Sequence, residues 1–188
     1  MNKVYGLILA SGIGERLDSH IPKQFLKVAG KTLVEHTIDT FERHNHIDDI
    51  IIVVHPMFRH LMEEIIIKNN YKKIRKVLNG GATRRESSYI GVSALEDDDA
   101  LVLIHDAVRP FISHRVIEDC IKALEKYDAV DVAIPSADTI ITVNDSMVIE
   151  NIPQRKYMMR GQTPQAFRVR LIKEAHRRAL NDQIDVTD

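Results

Sequence analysis

Three short stretches concentrate the residues that could do chemistry. The first is Leu9-Ala10-Ser11-Gly12-Ile13-Gly14-Glu15-Arg16-Leu17, small residues and two glycines followed by an arginine. Such a loop lets the backbone approach a ligand and aims successive N–H groups at it, which suits phosphate. Leu17 occupies the third glycine position of a dinucleotide fingerprint, and no Gly-Lys-Ser/Thr follows, so this is neither that fingerprint nor a P-loop. Arg16 and Lys23 add what the loop lacks. A helix N-terminus contributes only about 0.3–1 kcal/mol toward one exposed charge. That is too little to hold a triphosphate and stabilise a reacting phosphorus, so cationic side chains or a metal must help.

The second stretch, Asn79-Gly80-Gly81-Ala82-Thr83-Arg84-Arg85-Glu86-Ser87-Ser88, opens a helix with glycines, arginines and serines, as an anion or nucleotide site does. A plain Gly-Gly turn would explain the glycines but not the arginines. The third, His105-Asp106-Ala107-Val108-Arg109-Pro110, follows an apolar run. An aspartate there can offer hard oxygen to Mg²⁺, which takes one or two carboxylates plus substrate phosphates. Arg109 could grip a second phosphate, and an Asp–Arg pair closing the loop is the plainer reading. His105 reads as a tautomer-fixed core histidine rather than a base.

The elements that must position these loops are legible as an alternation. Val4–Ala10, Ile50–Val54, Ile74–Leu78, Leu101–Ile104 and Val130–Ile134 are brief, β-branched-rich runs, as strands buried on both faces are. Between them lie helical stripes: Leu33, Val34, Thr37, Ile38 and Phe41; Phe58, Leu61, Met62, Ile65 and Ile66; Ile90, Val92 and Leu95; and Val116, Ile117, Cys120, Ile121 and Leu124 behind Ser113 as N-cap. The alternation predicts an α/β domain over 1–188 with a mostly parallel sheet, helices on both faces, and ligands at the carboxyl ends of the strands. From about 136 to 161 the pattern changes. Asp138–Val143 and Met147–Ile152 read as strands of a projecting β-arm turning at Asn144-Asp145-Ser146, with a helix over Val169–Leu180 and no closing strand between.

Composition excludes several classes. The 188 residues carry 26 Lys+Arg against 27 Asp+Glu, a net charge of -1, which argues against a dedicated nucleic-acid or membrane-surface binder. A single cysteine, Cys120, allows no disulfide within the chain and no cysteine-based zinc site, and on its apolar stripe it reads as core filler. His44 and His46 read as a solvated turn rather than a metal site. The short apolar start flows into the glycine loop instead of a cleavage site, and no run approaches a membrane span, so the expectation is a cytoplasmic protein.

Taken together, Ala10-Ser11-Gly12-Ile13-Gly14-Glu15-Arg16, Pro22-Lys23-Gln24-Phe25, Gly80-Gly81 leading to Arg84 and Ser87, His105-Asp106-Ala107-Val108-Arg109-Pro110 and Gly161-Gln162-Thr163-Pro164-Gln165 resemble the polyol-phosphate cytidylyltransferases. That group contains the methylerythritol-phosphate (IspD-type) and ribitol-5-phosphate (TarI-type) enzymes. The resemblance implies a Rossmann-like three-layer nucleotidyltransferase fold, Mg²⁺ as cofactor, and a homodimer formed through the β-arm. It implies that an acceptor phosphate oxygen attacks the α-phosphorus of CTP and pyrophosphate leaves. By position, Arg16 and Lys23 would stabilise the transition state. Ala10, Ser11, Gly12, Gly14, Gly80, Gly81, Arg84 and Ser87 would bind the nucleotide, and Asp106 would hold the metal. Arg109, Thr139, Arg155, Thr163 and Thr187 would bind the acceptor.

Val108 and Gly161 look closer to the ribitol-5-phosphate branch, which is the acceptor expected first, with 2-C-methyl-D-erythritol 4-phosphate as the alternative. Ala82 and Thr83 stand where many relatives carry an acidic or polar pair. The family pattern also continues past Asp188 with a strand, a helix and further ligand residues. Their expected absence keeps open a truncated, non-catalytic nucleotide-binding module. A sugar-1-phosphate nucleotidyltransferase or a glycosyltransferase is a further alternative, against which the arm and Thr163-Pro164-Gln165 speak.

Overall fold

A computed structural model describes residues 2–13 and 21–182. In chain order the elements are β1 (Val4–Ala10), β2 (Lys27–Val28), β3 (Lys31–Thr32), α1 (Leu33–Arg43), β4 (Asp49–Val54), α2 (Arg59–Asn69), β5 (Ile74–Asn79) and α3 (Arg84–Ser93). There follow β6 (Leu101–Asp106), α4 (His114–Ala123), β7 (Ala129–Pro135), β8 (Thr142–Val143), β9 (Ile149–Asn151), β10 (Met159–Arg168) and α5 (Val169–Asn181).

The central sheet has the order β5-β4-β1-β6-β10-β7. Strands β5, β4, β1 and β6 run parallel, and β10 runs antiparallel between β6 and β7. Consecutive apolar residues in β1 and β4 serve two cores at once. Val4, Ile8, Ile50, Ile52 and Leu103 face α1, α2 and α4 through Val34, Ile38, Phe41, Met62 and Ile117. Tyr5, Leu7, Ile51, Val53 and Val102 face α3 and α5 through Val92 and Val169. This alternation across a sheet covered on both sides is why every residue of β1 and β4 is buried.

Three expectations about the elements differ from the structure. A strand does close the sheet after the arm: β10, ten residues long, was hidden by Pro164, which cannot donate to a ladder. The β10–β7 register shifts between Gly161 and Gln165, which is how an interior strand accommodates it. Second, α3 does not turn Ile90 inward. Its buried face is Ser87, Ser88, Gly91 and Val92, because the helix packs so close to the sheet that a Cβ on Gly91 would stand 2.5 Å from Leu7 Cδ1. Third, the arm strands are shorter than the hydrophobic runs. The Asn144 side chain accepts N–H bonds from Ser146 and Val148, and Met147 takes a left-handed φ of 61°, so the turn absorbs residues expected in both strands.

The caps fall where the sequence places them or supplies better. Ser113 accepts from the Val116 N–H. Thr32 with Glu35, and Thr83 with Glu86, form reciprocal capping boxes at α1 and α3. Cys120 is buried, and burial pushes its thiol up to about 11. His44, expected in a solvated turn, is also buried, with its ring 5.1 Å from that of His114.

Glu35 ties α1 to α2. Its carboxylate accepts from the Thr32 N–H and hydroxyl, from Asn69 Nδ2 at 3.0 Å and from Lys68 Nζ at 3.3 Å. Burial alone would raise its pKa, but these bonds outweigh it and hold the group at about 2, against an ordinary 4.5. A depressed carboxyl contributes stability above its unfolded pKa and loses it as pH falls through the folded value. Thermal melts of Glu35→Gln should therefore lie below wild type at pH 7, with the gap closing between pH 4.5 and 2. A gap that stays constant across that range would mean the carboxylate is not held as described.

Candidate active site

At the carboxyl ends of the strands lies a cleft of about 700 Å³, lined by Ser11, Lys23, Gln24, His55, Arg84 and Asp106 among others. One wall joins two loops. Ser11 Oγ donates to Ser87 Oγ at 2.7 Å, and Ser87 Oγ lies 3.2 Å from the Gly81 N–H it accepts and 3.0 Å from the Thr83 carbonyl. A Cβ at Gly80 would stand 2.4 Å from Ser11 Cβ, so only glycine lets the loops after β1 and β5 touch. Ser87 is fully buried; its hydroxyl holds the wall together from inside.

Gln24, 3% exposed, sits behind the first loop. Its Nε2 donates to the Ala10 carbonyl at 2.7 Å and to the Gly12 carbonyl at 2.9 Å. Both carbonyls are thereby drawn onto one amide, a role the Pro22-Lys23-Gln24-Phe25 spacing alone did not disclose. Lys23 lines the cleft in the same turn and has no ion-pair partner among the described residues. A half-buried ammonium with no counter-charge is suited to an anionic ligand.

The opposite wall is built on Asp106. Arg84 Nε approaches Oδ1 at 3.2 Å and Arg109 Nε approaches Oδ2 at 3.1 Å. Arg84 also reaches Gln165 Oε1 at 3.2 Å, and Arg109 reaches Gln162 Oε1 at 2.7 Å, so β10 supplies the outer support. Beneath, His105 is 1% exposed, and burial lowers its pKa to about 4. Its Nδ1 lies 2.9 Å from Thr163 Oγ1 and its Nε2 lies 3.0 Å from the Arg109 carbonyl. It is a core histidine, as its sequence setting indicates.

Of the residues expected to bind nucleotide, Ala10, Ser11, Gly12, Gly81 and Arg84 line the cleft, and Gly80 and Ser87 pack behind it. Gly14, Arg16 and Thr187 lie outside the described residues. Thr139 and Arg155 meet on the arm, Nη2 to Oγ1 at 2.8 Å, in an exposed position. Thr163 is buried, with its hydroxyl turned to His105 and to the Asp106 N–H rather than outward. His55 was missed. It lines the cleft at the end of β4, and its Nδ1 accepts from the Met57 N–H, which leaves the proton on Nε2. No residue-type signal in His55-Pro56 marks it out.

Mg²⁺ fits this donor set in one mode only. Among the described residues no group of three or more His, Cys, Asp or Glu side chains converges. Among the described residues Asp106 is the one carboxylate lining the cleft, so an ion held there would draw most of its remaining ligands from phosphate and water. No helix among the described residues is long and apolar enough to cross a membrane.

Comparison with known proteins identifies the family and the fold. Residues 4–188 match the family model described as IspD, 2-C-methyl-D-erythritol 4-phosphate cytidylyltransferase. The chain is 44% identical over 178 residues to a bifunctional ribulose 5-phosphate reductase/CDP-ribitol pyrophosphorylase of Haemophilus influenzae, covering 93% of this chain and 38% of that protein. It is 37% identical over 184 residues to the 2-C-methyl-D-erythritol 4-phosphate cytidylyltransferase of Thermobifida fusca, covering 95% of this chain and 74% of the relative. The crystal structure of 4-diphosphocytidyl-2C-methyl-D-erythritol synthase from Anaerococcus prevotii superposes with a TM-score of 0.88 at 35% identity, over 100% of this chain and 79% of that one.

The close contact of the two loops has a direct test. Gly80→Ala must drive Ser11 away, and overpacking of this kind costs about 1–3 kcal/mol. Urea unfolding should show that loss. A variant as stable as wild type would mean the loops do not touch as described.

Proposed function

The chain belongs to the IspD family of cytidylyltransferases, and from that membership we propose that it transfers a cytidylyl group from CTP to the phosphate of a polyol phosphate. The observation that carries the reading is the cleft itself. It sets a glycine loop and Lys23, which has no ion-pair partner among the described residues, on one side, and Asp106 between two guanidiniums on the other.

In the proposed reaction an acceptor phosphate oxygen forms a bond to the α-phosphorus of CTP. The bond from that phosphorus to the β-bridging oxygen breaks, and pyrophosphate carries the electron pair away. No protein nucleophile is required, so the side chains work by position and charge. The backbone of Ala10 to Gly12 lies along the triphosphate, its carbonyls held back by Gln24. Lys23, with Arg16 by sequence position, meets the charge that grows on the phosphoryl oxygens. The loop from Gly80 to Arg84 receives the nucleoside. Mg²⁺, when held by Asp106, would neutralise charge on the triphosphate. Arg109, freed from Asp106 as ligands arrive, turns to the acceptor phosphate.

For the acceptor, 2-C-methyl-D-erythritol 4-phosphate has the broader support, from the family description and from the Thermobifida and Anaerococcus relatives. Ribitol 5-phosphate, expected first from Val108 and Gly161, is supported by the Haemophilus relative at 44% identity. It stands as the second reading. The arm favours a second copy of the chain as its cover: Ile140, Ile141, Val148, Ile149 and Ile152 are all exposed there. Thr139 and Arg155 would then serve the partner's acceptor site.

Pyrophosphate release from CTP and Mg²⁺, with each polyol phosphate offered separately, tests the proposal. Release with the methylerythritol phosphate is expected, and release with ribitol 5-phosphate alone would move the acceptor to the second reading. No release with either would leave a nucleotide-binding module. Lys23→Ala should lose about 10²–10³ of the rate, the usual cost of one electrostatic donor, with its melting temperature unchanged. Activity within a few-fold of wild type would remove Lys23 from the transition state.

A further inference from the structure

The loop that carries Asp106 and Arg109 is held from below by a chain of hydrogen bonds whose direction is fixed. The Arg109 carbonyl can only accept, so His105 Nε2, 3.0 Å away, must carry the ring proton. In the neutral ring Nδ1 is then bare and must accept. Its partner at 2.9 Å is the Thr163 hydroxyl, which therefore donates to it. The same hydroxyl oxygen faces the Asp106 N–H at 3.4 Å and accepts from it. The order runs from the Asp106 N–H through the Thr163 hydroxyl and the His105 ring to the Arg109 carbonyl. It begins and ends on the two residues whose side chains meet across the loop.

The surroundings leave this chain no slack. His105 pairs with Ile8 in the sheet register, and its ring lies 5.5 Å from that of Phe41. Ala107, between the two site residues, donates its N–H to the Leu9 carbonyl at 2.9 Å and accepts from Thr37 Oγ1 at 3.0 Å. Thr163 comes from β10, the strand whose Gln162 and Gln165 hold the two arginines from outside. One strand thus supports the loop above and below.

We infer that His105 and Thr163 are a buried positioning pair that sets the Asp106–Arg109 loop, and that Thr163 acts through Asp106 rather than on the acceptor. The inference rests on the cytidylyltransferase reading for its catalytic consequence, though not for the hydrogen-bond order. Groups that orient a site residue from behind typically matter 10–100-fold. Two groups in one chain should not matter twice, since either break releases the same loop.

The experiment is a double-mutant cycle on Thr163→Val and His105→Phe, followed by pyrophosphate release, with melting curves for each protein. Each single change should lower kcat by about 10–100-fold. The CTP KM should move little, and the double variant should be no slower than the slower single one. Thr163→Ser, which keeps the hydroxyl, should recover most of what Thr163→Val loses. Multiplying losses, or a Thr163→Val effect confined to the acceptor KM, would overturn the inference and make Thr163 a direct acceptor contact. If His105→Phe fails to fold, His105→Gln takes its place in the cycle. Nitrogen chemical shifts of the His105 ring give a readout independent of turnover. A proton on Nε2 with a bare Nδ1 is expected, and the opposite tautomer would overturn the pair even in a protein that releases no pyrophosphate.

Discussion

The site hangs on one carboxylate. Asp106 ends a central strand and is gripped by Arg84 from a neighbouring helix and Arg109 from its own loop. On the proposed reading its task would be to hold Mg²⁺ against the triphosphate, which requires a fixed position. Much of the architecture can be read as fixing it. The strand is buried on both faces, the helix that brings Arg84 packs through a glycine onto Leu7, and β10 closes over the loop. The buried groups under the loop have no polar atom left unpaired among the described residues.

The two ends of the sheet divide the charges differently. A larger hollow, about 1230 Å³, opens at the amino ends of the strands beside Lys3, Asp49 and Arg75. There Asp49 is already neutralised by Lys3 at 2.6 Å and Arg75 at 2.5 Å, so the charges answer one another. At the carboxyl ends Lys23 has no such partner among the described residues, and the loops after β1 and β5 present the backbone of Gly12 and Gly81 to the cleft. Size favours the first hollow; unanswered charge and open backbone favour the second as the place for a phosphorylated ligand. Parallel sheets put ligand sites at that end for the same topological reason.

How far this could be read from residues follows the strength of each signal. Strands β1, β4, β5, β6 and β7 were legible because short runs rich in β-branched residues have few other uses. The capped helices were legible because Ser113 and the apolar stripe behind it have a fixed spacing. Helix α3 was legible as a helix with Val92 and Leu95 turned inward, but Ser87, Ser88 and Gly91, which complete its buried face in place of Ile90, carry no hydrophobic signal. Strand β10 was hidden by its proline and by a polar sequence that serves the site instead of the core. In the site, charged and glycine residues announced themselves. Gln24, His55 and the inward turn of Thr163 did not, because a polar side chain does not state in sequence which neighbour it will meet.

A crystal structure of the protein with CTP and Mg²⁺ bound addresses the central claim most directly. The account predicts the triphosphate lying between the Ala10–Gly12 backbone and Asp106. Lys23 should touch a phosphoryl oxygen, and the base should lie against the Gly80–Gly81 loop. A nucleotide seated beside Lys3 and Arg75, or one in the cleft whose phosphates point away from Lys23 and Asp106, would contradict it.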